Sequence, residues 1–126
     1  MYLKEIVVVF IGGGLGSLMR FGFARWVALL YDRPFPLATF LVNIVACFVL
    51  GFIIGLVDFK QWLSPIAKLF WIVGFCGGFS TFSAFSNEVF SLFRQGYYMD
   101  SLLYILLSIL VCVTATFGGL IFAEKI

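Results

Sequence analysis

Few residues of this 126-residue chain could do chemistry, and their types exclude most of it. There is no histidine, so imidazole acid–base work and histidine-ligated metals are ruled out. The carboxylates are Glu5, Asp32, Asp58, Glu88, Asp100 and Glu124, and nearly all lie at the ends of apolar runs or between them. A hydrolytic site needs a nucleophile with a base beside it, and nothing here supplies that base, so an enzyme is not expected. Cys47, Cys76 and Cys112 are far apart, each inside an apolar run. They match neither a zinc spacing nor a disulfide framework and read as small core residues.

What remains is a small set of neutral polar groups in apolar surroundings. The stretch Gly74-Phe75-Cys76-Gly77-Gly78-Phe79-Ser80-Thr81-Phe82-Ser83-Ala84-Phe85-Ser86 combines adjacent glycines with a run of hydroxyl residues, both of which weaken a helix. A break there frees backbone N–H and C=O groups, which survive in hydrocarbon only where protein, water or an ion meets them. The bland reading is a Gly/Ser packing seam in an unbroken helix. Carbonyls freed from two such breaks could converge on a small dehydrated cation, although spacing does not say which carbonyls.

Thr39 and Asn43 stand at i, i+4 and share a helix face. Asn43 reads equally well as interhelical glue or as the lining of a pathway. Tyr104, Ser108, Cys112 and Thr116 repeat every four residues, a polar stripe facing either water or a partner, unless its hydroxyls simply bond back to their own helix. Phe82 and Phe85 point to nearly one face, and phenyl rings present a positive edge that attracts an anion. Arg20 either snorkels to the interface or holds a fixed positive charge near a vestibule. Glu88, one turn beyond Phe85, is expected to cap or pair at the mouth.

These groups need elements to position them, and composition says which. Hydrophobic residues make up 63% of the chain and charged ones 11%, where a soluble domain has roughly half and a quarter. So short a soluble domain could not hide that much apolar surface. An all-α integral membrane protein with one domain, residues 1–126, is expected, with no nucleic-acid partner at a net charge of +2. At about 20 apolar residues per crossing, four transmembrane helices fit, over about 4–30, 37–57, 67–94 and 101–123, the third interrupted. The first run is long and lacks a charged leader beyond Lys4, which argues against a signal peptide. G-x-x-x-G pairs at Gly12/Gly16, Gly51/Gly55 and Gly74/Gly78 suit close helix packing.

Orientation is balanced. Lys4, Lys60, Lys68 and Lys125 fall on one side of a four-span chain, and Arg20, Arg25, Arg33 and Arg94 on the other. Either so few charges carry no information, or the chain inserts both ways and pairs with an inverted copy of itself, making between chains the symmetry that many transporters encode within one.

These motifs together resemble the Fluc family of fluoride channels, also called CrcB, along nearly the whole chain. The resemblance rests on Gly12-Gly13-Gly14-Leu15-Gly16-Ser17-Leu18-Met19-Arg20, on Thr39-Phe40-Leu41-Val42-Asn43, and above all on Gly74 through Phe85. It implies an antiparallel dual-topology homodimer in a cell membrane, the bacterial plasma or inner membrane, with two fluoride pores. It also implies passive fluoride export and a central structural sodium ion (Na+). Carried over by residue, Phe82, Phe85 and Asn43 would line the pore, with Tyr104, Ser108 and Cys112 on a polar track. Thr39 and Arg20 join this anion-binding set, and backbone carbonyls of Gly77 and Ser80 would hold the sodium. Ser80 replaces a commoner Thr, Ala84 stands where a hydroxyl is common, Ala46-Cys47 replaces Gly-Ser, and Cys112 is a weak donor in place of a hydroxyl. The rival reading is a small multidrug-type cation exporter of the same architecture, which needs a membrane-embedded carboxylate.

Overall fold

The computed structural model describes residues 2–126. Four helices are long and apolar enough to cross a membrane: α1 (Tyr2–Leu30), α2 (Leu37–Lys60), α3 (Pro65–Arg94) and α4 (Tyr98–Lys125). Their 24 to 30 residues give lengths of about 36 to 45 Å, more than the ~30 Å hydrocarbon core. The chain is a multi-pass membrane protein. Turn chemistry sets the boundaries. α2 widens into a π turn over Leu56–Lys60 and stops at Gln61, whose φ of 54° is left-handed. Pro65 opens α3, and the Ser64 hydroxyl accepts the Ala67 N–H at 3.1 Å. Gly96, at φ 89°, makes the sharp reversal between α3 and α4.

The backbone of α3 changes character along its length. It is α-helical over Pro65–Lys68, π-wound over Leu69–Cys76 and helical again over Gly77–Phe79. Ser80 (φ −79°, ψ 158°) and Thr81 (φ −152°, ψ 122°) are extended. The helix resumes at Phe82–Arg94. Two adjacent glycines followed by side chains that compete for backbone hydrogen bonds give a local reason for the change at this point.

The helices pack in two intimate pairs. α1 lies on the first half of α3, where glycine meets glycine. A Cβ on Gly12 would sit 2.7 Å from the Phe70 carbonyl oxygen, and one on Gly74 3.1 Å from Gly12 Cα. A Cβ on Gly16 would overlap the Phe75 oxygen, and one on Gly78 the Gly13 oxygen. The second pair, α2 on α4, forms the most extensive interface in the chain. A Cβ on Gly51 would strike the Thr116 oxygen, and one on Gly119 the Phe48 oxygen. Neighbouring spans run antiparallel, so α2 and α4 run parallel, backbone against backbone.

The buried core is correspondingly thin. One cluster joins Val42, Ala46 and Phe79, with Phe23 and Phe75 against it; another joins Ile53, Leu56 and Ala123. Most large apolar side chains face outward. The accessible surface is 8222 Å², whereas a compact soluble monomer of 14.1 kDa exposes about 6,700 Å². Lipid or another protein must cover the remainder.

The glycine contacts predict a split between substitutions. Gly51→Ala drives a methyl into the Thr116 carbonyl and should cost about 1–3 kcal/mol as overpacking. Gly22→Ala meets nothing within 4 Å and should be neutral or stabilising by up to ~1 kcal/mol. Thermal unfolding in detergent distinguishes them; equal melting temperatures would contradict the packing.

Candidate functional site

The extended pair Ser80–Thr81 frees polar backbone groups within a span, and side chains from α1 and α2 meet them. Asn43 grips Thr81 at both ends: its Oδ1 accepts the Thr81 N–H at 2.9 Å, and its Nδ2 donates to the Thr81 carbonyl at 3.2 Å. From α1, Arg20 Nε donates to the Gly78 carbonyl at 3.2 Å, with Ser17 Oγ on the same oxygen at 3.5 Å. Thr81 Oγ1 accepts the Ala84 N–H at 3.1 Å and so caps the second half of α3. The Ser80 N–H and hydroxyl both donate to the Cys76 carbonyl, at 3.0 and 2.7 Å.

The carbonyls of Gly77 to Ser80 lose their helical donors by this arrangement, and Arg20 and Ser17 serve that of Gly78. In a continuous helix the Gly77 oxygen would receive the Thr81 N–H, and the Ser80 oxygen the Ala84 N–H. Both donors are drawn away, to Asn43 and to Thr81 Oγ1. Gly77 and Ser80 border a cavity of about 240 Å³ shared with Cys76, Cys47 and Ile72.

Adjoining this cavity, and sharing Cys47 and Ser80 with it, lies an open cleft of about 250 Å³. Asn43 and Cys47 of α2, Thr81, Phe82 and Phe85 of α3, and Ser108 and Cys112 of α4 line it, and no charged side chain does so among the described residues. Phe82 and Phe85 have ring centroids 5.6 Å apart, and Phe82 is 79% exposed at the open side. The Ser108 hydroxyl is buried against the cleft and finds no partner among the described residues. An orphaned buried hydroxyl costs about 1–3 kcal/mol, so a group that accepts its hydrogen bond would be favoured there.

The α2–α4 register explains which groups meet here. Gly51 faces Thr116; one turn earlier Cys47 and Cys112 share the cleft, then Asn43 and Ser108. One turn earlier still, Thr39 Oγ1 and Tyr104 OH donate to the two oxygens of Glu88, at 2.8 and 2.9 Å. Parallel helices advance four residues per layer on both sides, so the i+4 repeats of α2 and α4 stay opposite one another.

The expected site residues therefore divide. Asn43, Phe82, Phe85, Ser108 and Cys112 come together in the cleft. Thr39 and Tyr104 do not line it but hold Glu88, which borders a separate small cavity with Pro34, Pro36 and Gln95. Arg20 also lies outside the cleft, on the Gly78 carbonyl. Thr116 bonds back to the Cys112 carbonyl at 3.1 Å. Sequence reasoning missed Thr81, whose backbone Asn43 grips, and Cys47. Cys47 was discoverable, since it follows Asn43 by four residues; composition alone made it look like core filling.

The chain matches the family described as CrcB-like protein, Camphor Resistance (CrcB), over residues 7–120. The chain belongs to the CrcB family. It is 44% identical to the "Fluoride-specific ion channel FluC" of Azobacteroides pseudotrichonymphae, over 97% of this chain and 98% of that one. It is 42% identical to the protein of the same name from Pyrococcus abyssi, over 99% and 100%. It is 39% identical to that from Flavobacterium psychrophilum, over 98% and 100%. Likeness to these CrcB relatives spans all four helices and the break in α3.

If Asn43 holds the break in this CrcB chain, Asn43→Leu leaves the Thr81 N–H without a partner, at about 1–3 kcal/mol, while the Thr81 carbonyl keeps its helical donor. The melting temperature in detergent should fall and amide exchange at Thr81 should accelerate. Unchanged exchange would mean that other groups satisfy Thr81.

Proposed function

We propose that this CrcB protein is a fluoride-selective channel that lets fluoride leave the cytoplasm passively, down its gradient. The observation that carries the reading is the partnerless Ser108 hydroxyl, sharing with Asn43, Phe82 and Phe85 a cleft free of charged side chains among the described residues. Fluoride is small and holds its water tightly. A path for it must offer replacement donors: a hydroxyl, an amide and positive ring edges. Larger halides are disfavoured by fit, and weak multi-site binding allows the ion to leave. The name borne by the relatives, fluoride-specific ion channel, agrees with this chemistry. Nothing in the chain offers an energy source, so flow follows the gradient.

The cleft is open on one side, which supports a second wall supplied by another copy. The even split of Lys and Arg between the two faces supports an inverted copy, and the excess apolar surface supports an extensive contact. The assembly proposed is a dual-topology homodimer with two pores, in a bacterial plasma or inner membrane. Cys112 and, outside the cleft, Tyr104, Thr39 and Arg20 belong to this path as its polar track, its far end and its charged flank.

The Gly77 and Ser80 carbonyls fit a small hard cation, because their helical donors are engaged elsewhere and oxygen is the donor such an ion prefers. We propose that these carbonyls from two copies hold a structural sodium ion, which would offset their dipoles at the break.

The multidrug-exporter reading needs a carboxylate in the path. Glu88 is the one acidic residue deep in α3, and it stands outside the cleft with both oxygens engaged.

Purified protein in liposomes loaded with fluoride or chloride tests the reading. Fluoride should escape rapidly and chloride be retained. Ser108→Ala should slow fluoride about tenfold or more, equivalent to ~1.4 kcal/mol in the barrier. Equal leakage of both anions, or none of either, would overturn it.

A further inference from the structure

Cys47 and Cys112 stand opposite one another in the cleft, one layer beyond Asn43 and Ser108. Neither is buried core; both are half-buried, unlike Cys76. The next layer fixes their spacing, because Gly51 brings α2 against the Thr116 carbonyl of α4. Both side chains line the same cleft, facing it from α2 and from α4. Two thiols are poor ligands for hard, strongly hydrated cations, which prefer oxygen.

Soft metal ions differ. Cu(I), Ag(I) and Hg(II) prefer sulfur and are satisfied by two ligands in a line, whereas Zn(II) takes four. No group of three or more His, Cys, Asp or Glu capable of holding a metal occurs among the described residues, so a two-coordinate ion is the kind this pair can serve. We propose that Cys47 and Cys112 form a two-thiol site for a soft metal ion, and that filling it blocks the cleft.

With Hg(II) the step is a ligand exchange. From the bis-2-mercaptoethanol complex, two monothiol S–Hg bonds and two protein S–H bonds break, two protein S–Hg bonds form, and the two protons end on the departing monothiols, with no change of oxidation state. The resulting S–Hg–S bridge spans the cleft between α2 and α4, next to the Ser108 hydroxyl. The blocking half of the proposal rests on the reading of the cleft as a fluoride path; the binding half does not.

The test uses Cys76→Ala as parent, so that Cys47 has no second thiol neighbour at the adjoining cavity. Mercuric nitrate is titrated into the purified protein in detergent, with excess 2-mercaptoethanol as a competing monothiol. Mercury that stays with the protein through gel filtration, and protein thiols lost to a thiol-specific reagent once the monothiol is removed, are followed. The parent should retain one Hg(II) per chain and lose two titratable thiols for each. Cys47→Ser and Cys112→Ser in that background should each weaken binding by about 100-fold or more, the gain a second tethered ligand brings. Zinc should compete poorly.

In phosphatidylethanolamine–phosphatidylglycerol liposomes, the same Hg(II) and monothiol mixture should stop fluoride efflux through the parent. Each single-thiol variant should keep its own metal-free rate. Equal binding by parent and variants would overturn the site. Tight binding through both thiols with undiminished efflux would overturn the block. A parent that passes no fluoride before metal is added would instead overturn the channel reading, while the titration still decides the site.

Discussion

Inside hydrocarbon an unpartnered peptide N–H or C=O costs several kcal/mol, and the extended pair Ser80–Thr81 exposes such groups midway along a span. The rest of the structure is arranged around meeting that demand. Asn43 closes on Thr81 from α2, Arg20 on Gly78 from α1, and the Thr81 hydroxyl caps the helix that follows. These bonds explain why a lone Asn and a deep Arg are tolerated in apolar helices: each has a backbone partner. They also draw the helical donors of the Gly77 and Ser80 carbonyls away, to Asn43 and to the Thr81 hydroxyl.

The second constraint is the close approach of parallel helices. Gly51 and Gly119 let α2 and α4 touch through their backbones, and that contact holds the four-residue repeats of both helices in step. Thr39 with Tyr104, Asn43 with Ser108, and Cys47 with Cys112 are successive rungs of the same ladder. Each rung does something different: the first holds Glu88, the second faces the cleft and the Thr81 backbone, and the third sets two sulfurs together. The small residues thus position the polar ones, although they carry no chemistry themselves.

Much of this was legible in the sequence. Hydropathy and length indicate four crossings, and the glycine-hydroxyl stretch marks where α3 changes its backbone. The spacing of Thr39 and Asn43, and of Tyr104, Ser108 and Cys112, places each set on one face. What spacing within a single helix does not contain is the register between helices. It therefore could not tell that Thr39 and Tyr104 turn to Glu88 while Asn43 and Ser108 turn to the cleft, nor that Cys47 meets Cys112. Arg20 was legible as a charge in need of a partner, but its partner is a carbonyl 58 residues away. Helix ends were also blurred, because Gln61, Ser64 and Gly96 end or begin helices by conformation and capping rather than by hydropathy.

The central claim is that the neutral cleft beside the α3 break conducts fluoride and rejects chloride. It is tested most directly by the reversal potential of single channels in a planar bilayer, with a tenfold fluoride gradient set against an opposing chloride gradient. The account predicts reversal at the fluoride equilibrium potential, about 59 mV in magnitude for one charge at 25 °C, unmoved when the chloride gradient is inverted. A reversal potential that follows chloride, or lies midway between the two, would contradict it.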